Sequence, residues 1–509
     1  MREKNYVIAI DVGTTGTRSA IVDANGRIVS FAYRLNRQYF PAPGWVEQDP
    51  VNLWRNVRIT LKKAIEESRI DLTGIASAGV TNQRETVLVW DRKTGRPLYN
   101  AIVWQDKRTS RRIKDLDEET SNSIMKTTGL RPDSYFSASK IQWLLENVEG
   151  LRKKMADGDV SFGTVDSWII WNLNGSVNRS ITVTDHSNAS RTMLYDIAKL
   201  RWNPDLLDIF GGISETSLPE VMSSGSAEYG YISKDTSAIF DGREVPITAD
   251  IGDQQSALFG QGCFNPGDVK ATYGTGTFIL SNAGTEVPQT SGTLLRTIFY
   301  SISGRELSYA LEGSILASGS VLRWLQNSLH LFRSAKDIED AAEKLKSNDG
   351  VYFVPAFSGL GSPYWDQDAR GLFIGLTEST TADHLARSVL ESEVYMATDV
   401  IMEIEKEIGR NIAKIRCDGG GSRSDFLMQF QADIANAEVL VPESSETTAL
   451  GSAYLSDLVS GLWKSKDEIR ELWRLKKVYR PVMSEEERKR NYVGWKDAVK
   501  RCMGWHPNI

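Results

Sequence analysis

The sequence predicts an α/β protein built from two related domains. Three observations predict it. YVIAIDVGTTGTRSAIVDANG near the start has the same form as DVKATYGTGTFILSNAG from Asp268: strand, Gly/Thr turn, strand, further turn. Between these two hairpins strands alternate with amphipathic helices, the pattern of layered α/β architecture. A chain of 509 residues, 41% hydrophobic and 25% charged, also has room for more than one core.

Taken in chain order, the first element is the hairpin of residues 9–23, AIDVGTTGTRSAIVD, whose turn is expected to use glycine for positive φ and threonine for hydrogen bonding. A helix follows in DPVNLWRNVRITLKKAIEE. Asp49 suits its cap, Pro50 its first turn, and Trp54, Val57, Leu61 and Ile65 form an apolar stripe facing the core. The short strand ASAGV leads into TNQRET, and VPITADI leads into GDQQSALFGQG, so polar residues gather at strand ends, where open α/β sheets place their ligands. After the second hairpin, IRCDGGGSRSDFLMQF passes from a strand directly into a helix, with Gly419, Gly420 and Gly421 expected at its positive end. The C-terminal SEEERKRNYVGWKDAVKRCMGW reads as a charged amphipathic helix packed through its Tyr and Trp residues.

Composition narrows the function. With 60 basic against 66 acidic side chains the formal net charge is -6, so no basic excess points to nucleic acid. The start is too briefly apolar for a secretory segment and no run approaches the ~18 residues of a membrane span, so a cytoplasmic protein without membrane insertion is expected. Cys263, Cys417 and Cys502 are dispersed and show neither disulfide nor zinc spacing. His186, His330, His384 and His506 are scattered as well, which gives Ser-His-Asp or Cys-His catalysis little support.

The Gly/Thr turns suit phosphate, because glycine lets backbone N–H groups approach closely while hydroxyls and an arginine add donors. The first turn offers Gly13, Thr14, Thr15, Gly16, Thr17 and Arg18; the second offers Gly274, Thr275, Gly276 and Thr277. A carboxylate beside phosphate requires an intervening cation, so Asp11 points to magnesium; its other reading is a turn or capping residue. Asp253, at a strand-to-helix junction, reads by position as an N-cap.

The motifs AIDVGTTGTR, GVTNQRET, NAIVWQDKRT, YFSASKIQWLLEN, FGTVDSWIIW, TDHSNASRTML, IGDQQSALFGQ, TYGTGTF, GLFIGLTESTTADHLARSVLE and CDGGGSRSDFLMQFQADI, spread over nearly the whole chain, resemble those of the FGGY family of carbohydrate kinases. The resemblance is strongest to members that phosphorylate glycerol. It implies two actin-like, ribonuclease-H-like ATPase domains flanking an interdomain cleft, residues 1–255 for the polyol and 256–509 for the nucleotide. It further implies assembly as a homodimer or homotetramer.

Carried onto this chain, the resemblance implies that Arg84, Glu85, Trp104, Tyr135, Asp253, Gln254 and Phe278 bind glycerol, with Asp253 as catalytic base. Asp11 would hold Mg2+. Thr14, Thr15, Gly16, Arg18, Thr275, Gly319, Arg323, Gly420 and Ser424 would bind ATP. Arg323 and Ser424 depart from the glutamine and asparagine found in many relatives. The implied reaction gives sn-glycerol 3-phosphate and ADP; the alternative is a family member acting on another polyol or a ketose. A purely conformational ATPase would have no use for TNQRET, Trp104 and Asp253, and the intact acids argue against a silent binder. Asp11 and Asp253 are expected on opposite walls of the cleft, with the helix N-terminus keeping Asp253 ionised and weakly basic.

Overall fold

The computed structural model describes residues 5–178, 181–233, 237–315, 317–357 and 359–505; His506 lies outside them. Two large sheets dominate. From one edge to the other, the first runs Ile28–Leu35, Gly16–Asp23, Tyr6–Val12, Ile75–Asn82, Val245–Gly252 and Tyr231–Ile232. The second runs Leu295–Ile302, Glu306–Ile315, Thr277–Gly284, Val269–Tyr273, Lys414–Gly419, Glu438–Pro442 and Leu475–Tyr479. In each, an antiparallel hairpin meets two successive parallel partners. This is the duplicated α/β arrangement that the paired hairpins predict and the family resemblance implies.

The parallel strands Tyr6–Val12, Ile75–Asn82 and Val245–Gly252 are buried along almost their whole length, as strands covered on both faces are. One covering element is the helix Pro50–Ser68, in which Asp49 accepts from the Val51 N–H, Pro50 occupies the first turn, and Val57, Leu61 and Ile65 are buried; Trp54 sits half-buried at the stripe's margin. The C-terminal helix Glu485–Cys502 is pinned by Trp495, fully buried, whose indole N–H donates to Asp399 at 2.7 Å. Among the described residues no helix is long and apolar enough to cross a membrane.

Two expectations need correction. The glycines of both hairpin turns do not adopt positive φ. At Gly16 the requirement is space, because a Cβ there would collide with the Tyr33 ring. The triple-glycine segment does not open a helix either: Gly420–Arg423 forms a 3-10 turn, and the helix Asp425–Ala435 begins beyond it with its N-terminus capped by Ser424. That cap takes up the Leu427 N–H, one of the donors an anion there would meet.

The two sheets are joined by a pair of crossing helices, Asp253–Gly260 and Thr447–Ser460, each following one sheet and packing toward the other. Glycine permits the close crossing: a side chain at Gly260 would strike the Thr447 carbonyl, and one at Gly451 the Ser256 carbonyl. A buried apolar cluster runs through this junction, with Val7, Ala9 and Ile251 from the first sheet and Leu280, Phe299 and Ala310 from the second. The strand ends of both sheets therefore face one shared cleft.

Candidate active site

That cleft has a volume of about 630 Å³ and is lined by every residue that the family resemblance assigned to glycerol, magnesium or ATP except Gly319 and Ser424; Thr17 and Thr277 of the turns also lie outside its lining. Sheet register places its two central acids. Val12 and Gly252 both pair with Asn82 of the intervening strand, so Asp11 and Asp253 flank that level two strands apart. Their backbones are separated by about 10 Å, twice the interstrand spacing. They do not face each other from opposite walls as expected; both stand on the edge of the first sheet, since Asp253 opens the helix immediately after that sheet's strand Val245–Gly252.

At one end of the cleft Arg84 and Glu85 are almost completely buried, at 2% and 1% exposure. Glu85 holds a left-handed backbone (φ 62°), a cost that its buried partners sustain. Arg84 forks onto Glu312 through Nη1 and Nη2 at 2.6 and 3.0 Å, and its Nε faces Asp253 Oδ1 at 3.2 Å. Arg191 donates to Glu85 at 2.7 Å and to Glu312 at 2.9 Å. Burial alone would raise the Glu312 carboxyl, but Arg191 and Arg84 hold it down at about 2. Beside this charged cluster, the Trp104 ring meets Tyr135 edge-on at 5.4 Å and Phe278 at 6.2 Å, forming an apolar corner.

Asp253 does not keep the low pKa expected of a helix N-terminus. Burial pushes it up to about 6; Arg84 opposes the shift, while Glu85 and Asp11 reinforce it. It caps no helical turn, for Gly252 takes the N-cap position and Asp253 accepts from the adjacent Gln254 N–H at 2.7 Å beside its contact with Arg84. Lys270 donates to Gln254 at 2.5 Å and Thr272 at 2.8 Å, and burial draws its amine down to about 8.

The two Gly/Thr turns form the other end. Arg18 binds Asp11 at 2.7 Å, and Trp104 Nε1 donates to Thr14 Oγ1 at 2.8 Å, which links the aromatic corner to the first turn. Arg323 reaches Thr275 Oγ1 at 3.3 Å, beside the second turn. Gly420 has open space where a Cβ would stand, as a closely approaching ligand requires. Gly319 plays another part: its N–H donates to the Gly274 carbonyl at 3.1 Å, and a Cβ there would lie 2.5 Å from that oxygen, so it braces the second turn from outside the cleft. Ser424 is withdrawn, donating to Glu339 at 2.6 Å.

Among the described residues no group of three or more His, Cys, Asp or Glu forms a metal cage. A lone carboxylate at a phosphate turn fits magnesium, which draws most of its oxygens from water and substrate phosphates.

Residues 6–260 match the N-terminal domain of the FGGY family of carbohydrate kinases, and residues 269–456 match its C-terminal domain. This chain belongs to that family. Similar FGGY proteins include the glycerol kinase of Thermococcus onnurineus, 50% identical over 98% of each chain, and glycerol kinase 2 of Thermotoga maritima, 50% identical over 98% of this chain and 99% of its own. A solved glycerol kinase of Plasmodium falciparum with ADP superposes with a TM-score of 0.89 at 36% identity, covering 98% of each chain. Gluconate kinase of Lactobacillus acidophilus shares the FGGY fold at 22% identity and a TM-score of 0.84, covering 97% of each chain.

Sequence reasoning missed Glu312, Arg191, Lys270, Thr272 and Asp418, all tied into this FGGY site. Arg191 stood inside the recognised stretch TDHSNASRTML, and a buried charge next to an apolar run was its available signal. Glu312, in SYALEGSI, carried the same signal: an acid inside an otherwise apolar strand.

Proposed function

We propose that this chain is an ATP:glycerol 3-phosphotransferase, transferring the γ-phosphoryl group of ATP to a terminal hydroxyl of glycerol. The observation that carries the reading is the aromatic corner of Trp104, Tyr135 and Phe278 set directly against the buried Arg84–Glu85 pair and Asp253. A three-carbon polyol needs that combination: an apolar face for its carbons and fixed hydrogen-bonding groups for its hydroxyls. The similar glycerol kinases support the same choice.

In this reading Arg84 donates to one hydroxyl oxygen and Glu85 accepts from a hydroxyl, with Gln254 and Tyr135 completing the ring of polar groups. Asp253 orients the attacking hydroxyl in line with the phosphorus and takes its proton. Its raised pKa of about 6 suits a base near neutral pH better than an ordinary aspartate would. Basicity remains secondary, because phosphoryl transfer passes through a loose transition state in which alignment matters most. Thr14, Thr15, Gly16 and Arg18 hold phosphate from the first domain, and Thr275 with its neighbouring amides does so from the second. Arg323, bonded to Thr275, serves the phosphate end of the nucleotide. Gly420 leaves room for the nucleotide itself, with the polyol held mainly by residues 1–255 and the nucleotide mainly by 256–509.

Asp11 would hold magnesium, which when bound supplies charge neutralisation to the phosphate oxygens. Arg18, paired with Asp11 at 2.7 Å and facing Glu446 at 3.4 Å, would offer its remaining donors to phosphate.

The test is a coupled ADP-release assay over glycerol, dihydroxyacetone, erythritol, xylulose, ribulose and gluconate. Glycerol should give the highest kcat/KM; a larger value for a pentulose or gluconate would overturn the substrate assignment.

A further inference from the structure

The polar groups proposed for the polyol sit on the first domain, yet the carboxylate that fixes Arg84 comes from the second. We propose that Glu312, in the second sheet's strand Glu306–Ile315, is the positioning residue that aims Arg84 at the polyol; for its substrate the proposal rests on the glycerol reading above.

The count of donors on Arg84 carries the argument. A guanidinium has five N–H groups in a rigid fork. At Arg84, Nη1 serves Glu312 Oε2 at 2.6 Å and Gln255 Oε1 at 3.1 Å, Nη2 serves Glu312 Oε1 at 3.0 Å, and Nε faces Asp253. A single Nη2 hydrogen is left for a hydroxyl. Its direction is set by the plane of the guanidinium, and that plane is set by the two-point contact with Glu312.

Glu312 itself has no slack. It is fully buried, and Oε1 also accepts from Arg191 Nη2 at 2.9 Å and Ser314 Oγ at 3.1 Å. Arg191 in turn holds Glu85 Oε1. One second-domain carboxylate thus orients Arg84 directly and Glu85 through Arg191, while Lys270, also of the second sheet, holds Gln254. The polyol site is complete only while the second sheet is docked against the first.

Glu312→Gln keeps the side chain's shape but removes the charge and one acceptor of the fork. Glycerol KM should rise about 30-fold, while kcat and the KM for MgATP stay within about threefold, the signature of lost uniform substrate binding. Because Glu312 acts largely through Arg84, the Arg84→Ala and Glu312→Gln changes should be non-additive: the double variant should lose clearly less glycerol binding than the product of the two single losses, the remainder reflecting Glu85 held through Arg191. A glycerol KM within twofold of the parent for Glu312→Gln, or losses that multiply in the double variant, would overturn the proposal. If Glu312→Gln does not fold, Glu312→Asp, which keeps the charge but retracts it by about 1.5 Å, must show the same selective rise in glycerol KM; an unchanged KM there overturns it equally. Should the parent enzyme prefer another polyol, the substrate reading fails separately, and the same comparison is made with that polyol.

Discussion

The edges that the two sheets present to the cleft are built alike and charged differently. On the first, Asp11 pairs in register with Thr81, and Asp253 opens the helix after the next strand. On the second, Thr272 pairs in register with Asp418, and Thr447 opens the corresponding helix. Acid, threonine, acid on one edge becomes threonine, acid, threonine on the other. The partners differ as well. Thr272 and Thr447 each donate a hydroxyl to Asp418 at 2.5 Å, and Gln261 adds a bond at 2.8 Å, so both oxygens of that acid are committed. Asp11 and Asp253 are instead held by arginines, Arg18 and Arg84, whose charge and extra donors suit them to share contacts with a phosphate or a polyol. One frame, used twice, sets two arginine-paired acids on the first edge and one hydroxyl-bonded acid on the second.

The sharpest way to break this comparison is to remove one of the two acids of the first edge, Asp253. Asp253→Asn should lower kcat by about 10³-fold, within the range of general acid–base contributions, measured by ADP release at saturating glycerol and MgATP; a loss below tenfold would place Asp253 outside the chemistry. Next in size is the effect of pH. Since Asp253 must be ionised to receive the proton, kcat/KM for glycerol should fall about tenfold per pH unit below about 6, and a profile flat down to pH 5 would contradict the assignment.

The same raised pKa has a consequence for stability. Folding favours the protonated acid, so the stabilisation is full at low pH and is lost as pH rises through about 6. Asp253→Asn should therefore melt higher than the parent at pH 8, by a stabilisation of at most about 3 kcal/mol, and show no gain at pH 4. The smallest expected effect comes from the second edge. Thr272→Val with Thr447→Val strips Asp418 of its hydroxyl donors, which should raise the KM for MgATP about tenfold and leave glycerol KM unchanged in steady-state kinetics.

The hairpins, the Pro50 helix and the duplicated architecture were legible in the sequence because each is a local pattern: alternation, turn chemistry, a cap before an apolar stripe. Fifteen of the seventeen residues that the family resemblance carried onto this chain also line the cleft. What escaped depends on distant pairing. That Asp11 and Asp253 share one edge follows only from the register of three strands, two of them far apart in sequence. Gly319 and Ser424 carry the right residue types for a ligand, but contacts with Gly274 and Glu339 take them out of the cleft. Glu312 and Arg191 lie 121 positions apart and become neighbours only when the sheets dock.

The claim that the two acids of the first edge divide their work, one toward a cation and the other toward an alcohol, is tested most directly by titrating glycerol calorimetrically into Asp11→Asn and Asp253→Ala without nucleotide. Asp11→Asn should bind glycerol within about twofold of the parent, and Asp253→Ala at least about tenfold more weakly, the cost of a lost hydrogen bond to a charged group. Equal affinity in the two variants, or the larger loss in Asp11→Asn, would contradict the account.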